Sequence, residues 1–238
     1  MDDPWAGVEA VFLDVGGVFH LPAHQPILDA FRRAGVEADP DRLDRAHYAG
    51  VAALAVWPDE DDGVWDAYME AYATEVGVGP ERREQVMAEL FTGFNTPGIW
   101  SRLVPGSLDA LRALAATGLP LAIVSNSDGT LEERLAEEGI CQVGPGRGVP
   151  MAVVIDSRAV GVAKPDPAIF DIALRATGVP AGAALHVGDA TGADVLGALA
   201  AGVRPVHLDP YGFCIDDTHL HLQDLAELAP RLVAAARP

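Results

Sequence analysis

The sequence predicts an α/β protein with a doubly wound parallel sheet, because short apolar runs alternate along the chain with helix-like segments. The runs are rich in branched side chains and occupy residues 10–14, 119–125, 152–156, 184–188 and 203–208. Runs of this length are typical of strands that are buried on both faces. Strands that alternate with helices favour a parallel sheet whose two faces are both covered by helices.

The segments between these runs carry helix boundary signals. Ser107 precedes leucines at helical spacing, and Gly118 follows them as a stop signal. Asp166 offers a helix cap, and Pro167 follows it at the first helical position, where a missing backbone N–H costs nothing. We therefore assign these segments to the helices that flank the sheet.

Residues 20–100 interrupt this alternation. They contain no strand-like run and are predicted to form several helices, separated by breaks that contain glycine or proline. We expect a core domain of residues 1–19 and 101–238, with residues 20–100 inserted as a helical domain. Aromatic side chains are concentrated in the insert or at its border, where packing in a core is more common than contact with a ligand. They are Tyr48, Trp57, Trp65, Tyr68, Tyr72 and Trp100.

The composition limits the classes of function. The chain has 238 residues, of which 50% are hydrophobic, so it can bury a sizeable core and is not disordered over most of its length. Asp and Glu number 35 against 16 Lys and Arg, which gives a formal net charge of −19. This charge repels nucleic acid and anionic lipid. A small anionic substrate therefore needs a local positive charge or a metal ion, and Lys164 is the only lysine in the chain.

The sequence shows no targeting or membrane signal. The first residues carry no basic region, and no apolar run approaches the roughly 18 residues of a membrane-spanning helix. Cys141 and Cys214 lie far apart and outside CxxC spacing, which argues against a zinc site and against a disulfide framework. We therefore expect a cytoplasmic protein with two structural thiols and with no membrane or nucleic-acid partner, and the oligomeric state stays open.

Polar side chains follow several of the predicted strands. Asp14, Ser125 and Asp189 come at or directly after strand ends, Lys164 lies in the connection after the third run, and Asp194 follows Asp189 by five residues. Taken singly, each of them could be a helix cap or a solvated charge. Because ligands bind beyond the carboxyl ends of parallel strands, we expect these side chains to meet at one edge of the sheet.

Carboxylates, a hydroxyl and an ammonium at one edge suit the hydrolysis of a phosphoester by a carboxylate nucleophile. One carboxylate attacks phosphorus, and another helps to hold Mg²⁺, a hard cation that prefers oxygen ligands and neutralises phosphoryl oxygens. The hydroxyl and the ammonium stabilise the remaining charge on the group that is transferred. The sequence thus favours phosphoryl transfer over other chemistries.

The sequence resembles the haloacid dehalogenase (HAD) superfamily in four motifs, which span nearly the whole chain in the order of the family. The motifs are Asp14-Val15-Gly16-Gly17-Val18, Ile123-Val124-Ser125-Asn126, Lys164-Pro165, and Gly188-Asp189 with Asp194. The helical insert lies where this family carries a C1-type cap. The resemblance implies a Rossmann-like core with an inserted α-helical cap domain, and a phosphatase-like hydrolase that acts on a small phosphorylated metabolite.

The resemblance also implies roles for individual residues. Asp14 would be the nucleophile that forms an aspartyl-phosphate. Ser125 and Asn126 would bind the substrate, Ser125 through a phosphoryl oxygen, and Lys164 would bridge the nucleophile and the phosphoryl group. The implied metal is Mg²⁺, held by Asp14, Asp189 and the backbone carbonyl of Gly16, with Asp194 in support.

One position departs from the family's phosphatase pattern. Phosphatases of this family usually carry a second aspartate two residues after the nucleophile, which protonates the leaving oxygen, and Gly16 stands there instead. Loss of a positioned acid costs roughly 10²- to 10⁴-fold in rate. His20 and His24 lie just after the first motif and are candidates to replace that acid, because an imidazole titrates near neutral pH.

The missing aspartate leaves two alternatives open. A 2-haloacid dehalogenase of the same superfamily needs neither that acid nor a metal, although the Gly188-Asp189 pair favours the metal-dependent reaction. A catalytically silent binding protein on the same fold is the other alternative. Substrate choice is expected to lie in the cap, where Arg45, His47 and Arg102 are the polar candidates for contacting the distal part of a substrate.

Overall fold

The computed structural model describes residues 3–54 and 62–236, and its centre is a six-stranded sheet. The described strands are β1 (Ala10–Leu13), β2 (His20–Pro22), β3 (Trp100–Leu103), β4 (Leu121–Ser125), β5 (Cys141–Val143), β6 (Val149–Met151), β7 (Val153–Asp156), β8 (Ala184–Gly188), β9 (Arg204–Leu208) and β10 (Leu220–Leu222). The central sheet has the order β10-β9-β8-β1-β4-β7, and every neighbouring pair in it is parallel. The predicted runs therefore form the sheet, and β10 is a strand that the sequence did not predict.

Helices lie between the strands and after them. The described helices are α1 (His24–Arg33), α2 (Leu43–Ala53), α3 (Asp62–Val76), α4 (Pro80–Phe94), α5 (Ser107–Ala115), α6 (Leu131–Glu137), α7 (Ser157–Val160), α8 (Ala168–Thr177), α9 (Leu196–Ala200) and α10 (Leu228–Ala235). The boundary signals worked as predicted for α5, which begins at Ser107. They also hold near α8, which begins directly after Pro167.

Helices cover both faces of the sheet. Along β1, successive side chains point to opposite faces, so Leu13 packs with Leu111 of α5 on one side while Phe12 packs with Phe170 of α8 on the other. Both apolar layers are fully buried at these positions. Two covered faces confirm the predicted fold class, an α/β protein with a doubly wound parallel sheet.

Helices α1 to α4 form a separate apolar cluster. Phe31, Tyr72 and Leu90 are buried in it, together with Ala190 and Ala193, which follow β8. The cluster therefore packs against the carboxyl edge of the sheet. Tyr68 is buried as well, whereas Trp65 is partly exposed, and Trp57 lies outside the described residues.

A short antiparallel pair joins the sheet to these helices. Strand β2 pairs with β3, and His20 lies opposite Leu103. The sequence predicted helices alone for residues 20–100, so β2 and the start of β3 are additions to that expectation. The sequence does not predict these two strands because three or four residues are too few for a strand pattern to be recognised.

Within residues 3–54 and 62–236, none of the helices is both long and apolar enough to cross a bilayer.

Candidate active site

Three adjacent strands bring polar side chains to one edge of the sheet. Strand β1 ends at Leu13, and the backbone N–H of Asp14 then donates to the carbonyl of Val187 in β8, at 2.9 Å. Ser125 is the last residue of β4, and Asp189 follows the end of β8. All three side chains are buried, although they are polar. The edge therefore gathers them as the sequence predicts.

Lys164 reaches this edge from the connection between β7 and α8. Its Nζ lies 2.8 Å from Oδ1 of Asp14 and 2.6 Å from Oδ1 of Asp194. The lysine is only 2% exposed, so its charge is balanced by these two carboxylates rather than by water. The only lysine of the chain therefore contacts the predicted nucleophile directly.

A pair of hydrogen bonds fixes the backbone of Lys164. The side chain of Asn126 accepts from the N–H of Lys164 at 2.8 Å and donates to its carbonyl at 2.9 Å. Asn126 follows the end of β4, so this reciprocal pair ties the lysine to the neighbouring strand. The structure thus gives Asn126 a positioning contact, and its predicted role in binding substrate stays a prediction.

The charges at the edge influence one another strongly. Burial raises the pKa of Asp14 to about 6, against the opposing effect of Lys164 and with smaller contributions from Asp194 and Asp189. Burial alone would lower the pKa of Lys164, but the charges of Asp14 and Asp194 more than offset it and raise that pKa. Lys164 therefore remains a cation, and Asp14 is ionised at neutral pH.

Asp194 contacts Lys164 and also accepts hydrogen bonds from two other groups of the protein. Its Oδ1 also lies 2.8 Å from Nε2 of His186, and its Oδ2 accepts from the N–H of Ala190 at 3.0 Å. Burial opposes ionisation here, but Lys164 and the hydrogen bond from His186 lower the pKa of Asp194. Asp194 is therefore an anion that fixes the ammonium of Lys164 beside Asp14.

Two glycines permit the close approach of the carboxylates. A Cβ on Gly17 would lie 1.9 Å from Oδ2 of Asp189, and one on Gly188 would lie 2.1 Å from Cγ of Asp194. Gly17 also has a positive φ of 62°, which disfavours other residues. Gly17 and Gly188 are therefore required by the packing of the acidic side chains.

The carboxylates are close enough to share one cation. Asp14, Asp189 and Asp194 each offer an oxygen, and these oxygens all lie within 4.8 Å of one another. Buried anions at this spacing repel one another unless a positive charge lies between them. Oxygen ligands in such a group suit Mg²⁺, so the residues present fit the metal that the sequence predicts.

Helix α2 brings two further side chains to the edge. Nε2 of His47 lies 3.2 Å from Oδ2 of Asp189, and its Nδ1 lies 2.8 Å from the hydroxyl of Tyr68. Because a carboxylate only accepts, Nε2 of His47 carries a proton that it donates to Asp189. Tyr48 donates to the carbonyl of Gly17 at 2.6 Å. The helical cluster is therefore in direct contact with the first and fourth motifs.

The two histidines named from the sequence have other partners. His20 is buried, and its Nε2 lies 2.7 Å from Oε2 of Glu138. Nε2 of His24 lies 2.8 Å from Oδ1 of Asp44, which also pairs with Arg102. The described contacts of His20 and His24 therefore lead to other acidic side chains rather than to Asp14.

A cavity of about 220 Å³ is lined by residues other than Asp14, Asp189 and Asp194. Asp44 and Tyr48 line it from the helices, and Tyr211 and Asp224 line it from the core. Arg45 is outside the lining and stacks on Tyr211, with its Cζ 5.3 Å from the ring centroid. Of the polar side chains proposed to contact substrate, His47 reaches the edge, whereas Arg45 and Arg102 are engaged in ion pairs.

Sequence reasoning missed the contacts of His186 and Tyr48. His186 lies within β8 and was read only as part of an apolar run, although its Nε2 contacts Asp194. Tyr48 was assigned to helix packing, although its hydroxyl reaches Gly17. The sequence contains one signal for His186: a histidine interrupts an otherwise apolar strand directly before an acidic motif.

Comparison with known proteins identifies relatives for most of the chain. A family model described as haloacid dehalogenase-like hydrolase matches residues 8–202. The phosphoserine phosphatase of Thermus thermophilus is 32% identical over 209 residues, which cover 86% of this chain and 77% of that protein. The phosphoglycolate phosphatase 1 of Pseudomonas aeruginosa is 31% identical over 157 residues, covering 66% and 53%.

A second group of relatives is called haloacid dehalogenase-like hydrolase domain-containing protein 3. The Danio rerio member is 34% identical over 163 residues, which cover 64% of this chain and 62% of that protein. The chain spans between 44% and 62% of the length of these relatives. The similarity therefore covers only part of the length of each of these relatives.

Solved structures with the same fold include proteins described as HAD hydrolases, as HAD phosphatases and as 2-haloacid dehalogenases. A HAD hydrolase of Bacillus subtilis, described as bound to magnesium, has a TM-score of 0.60 and 19% identity, covering 94% of this chain and 98% of that one. A 2-haloacid dehalogenase of Pseudomonas syringae has a TM-score of 0.55 and 22% identity, covering 96% and 100%. At these identities the likeness shows the fold alone.

Proposed function

The chain belongs to the haloacid dehalogenase-like hydrolases, and we propose that within this family it is a Mg²⁺-dependent phosphatase of small phosphorylated metabolites. The observation that carries this proposal is the contact between Lys164 and Asp14. A buried ammonium 2.8 Å from a buried carboxylate keeps that carboxylate ionised, and it also offers a donor to a phosphoryl oxygen that arrives beside it. Both functions are needed when a carboxylate attacks an anionic phosphate.

Three carboxylates at the edge support the choice of metal. We assign Mg²⁺ to Asp14 and Asp189, together with the backbone carbonyl of Gly16, as the resemblance implies. Asp194 is the supporting acid in this proposal, because both of its oxygens already have protein partners. When bound, the cation neutralises phosphoryl oxygens and so lets two anions approach each other.

The proposed reaction has two steps. A carboxylate oxygen of Asp14 attacks phosphorus, the bond from phosphorus to the leaving oxygen breaks, and the alcohol departs with a proton. Water then attacks the aspartyl-phosphate at phosphorus, which releases inorganic phosphate and restores the carboxylate of Asp14. In both steps Lys164 and Ser125 hold the phosphoryl oxygens.

The proton for the leaving oxygen needs a source other than residue 16. In this proposal the imidazolium form of His47 takes the role, because its side chain contacts the acidic cluster from helix α2, through Asp189. Tyr68 holds the ring so that Nε2 faces the site. His20 and His24, which the sequence suggested, are paired with Glu138 and Asp44 instead.

The proposed organisation follows the sequence prediction. Residues 1–19 and 101–238 are the core domain, and residues 20–100 are a C1-type cap whose helix α2 covers the edge. The names of the relatives, a phosphoserine phosphatase and phosphoglycolate phosphatases, support a small phosphorylated substrate. The net charge of −19 makes Lys164 and the cation the elements that attract it, in a protein that we propose to be cytoplasmic.

A substrate panel with and without metal tests the proposal. Phosphate monoesters and 2-haloacids are each incubated with Mg²⁺ and with EDTA, and phosphate and halide release are measured. We expect phosphate release that EDTA abolishes and that Mg²⁺ restores. Asp14→Asn is the matched variant, because it replaces the nucleophile with a side chain of almost the same shape.

The alternatives predict different results in the same panel. Halide release that does not respond to EDTA would favour a 2-haloacid dehalogenase and contradict the proposal. Absence of both products, together with calorimetry that detects no Mg²⁺ binding, would favour a binding protein on the same fold. Full phosphatase activity in the Asp14→Asn variant would remove Asp14 as the nucleophile.

A further inference from the structure

Four side chains with nitrogen or sulfur ligand atoms meet at the end of the sheet that β9 and β10 form. They are His207 on β9, Cys214 in the following loop, and His219 and His221 before and within β10. Each of them offers a ligand atom, and these atoms all lie within 4.8 Å of one another. The group shares no residue with Asp14, Asp189 and Asp194.

The topology of the sheet explains why these residues meet. Strands β9 and β10 are parallel neighbours, and His207 is directly opposite His221 in their register. His219 lies directly before β10, two residues from His221. Their rings are stacked with centroids 4.5 Å apart. The three imidazoles therefore form one group.

The loop after β9 brings Cys214 to the histidines. The carboxylate of Asp209 accepts from the N–H groups of Phe213 and Cys214, at 3.0 and 2.8 Å, and folds the loop back on itself. Sγ of Cys214 then lies 3.9 Å from Nε2 of His219. The sulfur is thus placed by a built turn rather than by a free loop.

Hydrogen bonds fix which ring nitrogens are free to bind a metal. Nε2 of His207 lies 2.9 Å from the carbonyl of Asp189, and Nε2 of His221 lies 2.8 Å from the carbonyl of Asp216. A carbonyl only accepts, so both Nε2 atoms carry protons and both Nδ1 atoms keep a lone pair in the neutral ring. Carbonyl partners of this kind orient histidine ligands in metal sites.

His219 points Nε2, rather than Nδ1, towards the other three side chains. Its Nε2 lies 3.4 Å from Nδ1 of His207, while its buried Nδ1 is 3.9 Å from Oδ2 of Asp216, too far for a hydrogen bond. The His219 side chain is only 2% exposed. Two buried nitrogens that face each other across this distance share either one proton or a cation between them.

Two of the separations are close to those around a tetrahedral ion. A zinc ion with bonds of about 2.0 Å to nitrogen and about 2.3 Å to sulfur separates two nitrogens by about 3.3 Å, and a nitrogen and a sulfur by about 3.5 Å. The corresponding distances here are 3.4 and 3.9 Å. Imidazole and thiolate ligands select Zn²⁺ over Mg²⁺, which prefers oxygen.

We propose that His207, Cys214, His219 and His221 bind one Zn²⁺ ion in a tetrahedral site with three nitrogens and one sulfur. Four protein ligands leave no open position, so the site is structural. The ion joins β9, β10 and the loop between them. Through the hydrogen bond from His207 to the carbonyl of Asp189, it also fixes the backbone of a residue in the proposed Mg²⁺ site.

Metal titration of the full-length protein tests the site. The protein is stripped with a chelator, and Zn²⁺ is titrated against a chromophoric competitor to give stoichiometry and affinity. We expect one ion per chain. Cys214→Ser and His219→Ala should each weaken binding by at least about 100-fold, more than the loss of an outer partner of a ligand. Circular dichroism checks that each variant is folded.

Two control variants separate this site from the others. Cys141→Ala removes the other cysteine, which is buried in the core on a different strand, and should bind Zn²⁺ as the wild type does. Asp189→Asn removes a proposed Mg²⁺ ligand and should keep the zinc site. In the wild type, Co²⁺ should give a thiolate charge-transfer band that Cys214→Ser abolishes while Cys141→Ala retains it.

Three outcomes would overturn the proposal. The first is a wild-type protein that takes up no stoichiometric Zn²⁺. The second is binding that Cys214→Ser and His219→Ala leave unchanged. The third is zinc binding that Asp189→Asn abolishes and Cys214→Ser does not, which would place the ion at the carboxylates instead. None of these outcomes depends on phosphatase activity, so the test is independent of the proposed function.

Discussion

Nζ of Lys164 lies 2.8 Å from Oδ1 of Asp14, and both side chains are buried at the carboxyl edge of the sheet. Asp194 holds the other side of the ammonium, at 2.6 Å. The lysine thus lies between an acid that we propose to react and an acid that fixes its position. Buried charges at this spacing stabilise each other only when both partners are present, so each of the three should be sensitive to substitution.

The shape of the lysine is the basis of the first prediction. Lys164→Arg keeps the positive charge but replaces a compact ammonium with a planar fork, which cannot fit between two buried carboxylates in the same way. We expect a folded protein whose kcat falls by about 10²- to 10³-fold. Arg175→Lys, an exposed change on α8, is the matched control and should leave turnover unchanged. Wild-type turnover in Lys164→Arg would show that the contact with Asp14 does not serve catalysis.

Gly16 provides a gain-of-function prediction. A Cβ at Gly16 would have Oδ2 of Asp14 as its nearest neighbour, at an ordinary distance of 3.8 Å, so position 16 has room for a Cβ. Gly16→Asp supplies the acid that phosphatases of this family usually carry. We expect its kcat for alkyl phosphates to rise by about 10²-fold or more, with little change for aryl phosphates, whose leaving groups need no proton.

Gly17 is the contrasting position. Gly17→Ala places a Cβ against Asp189 at a positive φ, so it should lower activity on alkyl and aryl phosphates alike. If Gly16→Asp lost activity equally on alkyl and aryl phosphates, position 16 could not accept a side chain. The hypothesis that an acid is missing at this position would then fail.

His47 should show a dependence on the leaving group. His47→Gln keeps a hydrogen-bond donor towards Asp189 but cannot transfer a proton, so we expect kcat for alkyl phosphates to fall by about 10²-fold or more and kcat for aryl phosphates to change little. Tyr68→Phe, which removes the partner of Nδ1, should show a smaller loss of the same kind.

The histidines named from the sequence are the comparison for this measurement. His20→Gln and His24→Gln should show no dependence on the leaving group, because their contacts lead to Glu138 and Asp44. A selective loss for alkyl phosphates in His24→Gln, with none in His47→Gln, would return the role to the sequence prediction.

The raised pKa of Asp14 predicts how stability depends on pH in the metal-free protein. Its pKa is about 6 in the folded state against an ordinary value of 3.8, so the folded state binds the proton more tightly than the unfolded state. The resulting stabilisation is complete below pH 4 and is lost as the pH rises to about 6. The loss is of the order of 3 kcal/mol for a shift of this size.

Asp14→Asn removes the titrating carboxyl group, so a comparison with the wild type measures its effect on stability. With EDTA present, urea unfolding at pH 4 and pH 7 should show that the wild type loses more stability than Asp14→Asn over that interval. Equal changes in the two proteins would show that the buried carboxyl does not carry the raised pKa.

Asp14, Lys164 and Asp189 could be located from the sequence because the geometry of a parallel sheet brings residues at the strand ends together. Each lies at the end of a strand or in the loop after it, and the carboxyl ends of parallel strands converge. The glycines of the motifs follow the same logic, since Gly17 and Gly188 leave the space that the acidic side chains fill. Local patterns were therefore sufficient for this part of the site.

His47 and His207 could not be assigned in that way. His47 lies 142 positions before Asp189 in the chain, and only the packing of α2 on the sheet brings them together. The histidines on β9 and β10 meet because of a strand register, and β10 is too short to be read from its own residues. Side-chain contacts between distant elements carry no periodic signal in a single sequence.

The most direct test of the central claim is to trap the phosphorylated protein. Wild type and Asp14→Asn are mixed with acetyl phosphate that carries a radioactive phosphate, in the presence of Mg²⁺, quenched in acid within the first turnover, and digested for peptide mapping. The proposal predicts label on the peptide that contains Asp14, released by hydroxylamine as expected for an acyl phosphate and absent from Asp14→Asn. Turnover without any label on that peptide, or label that persists in Asp14→Asn, would contradict it.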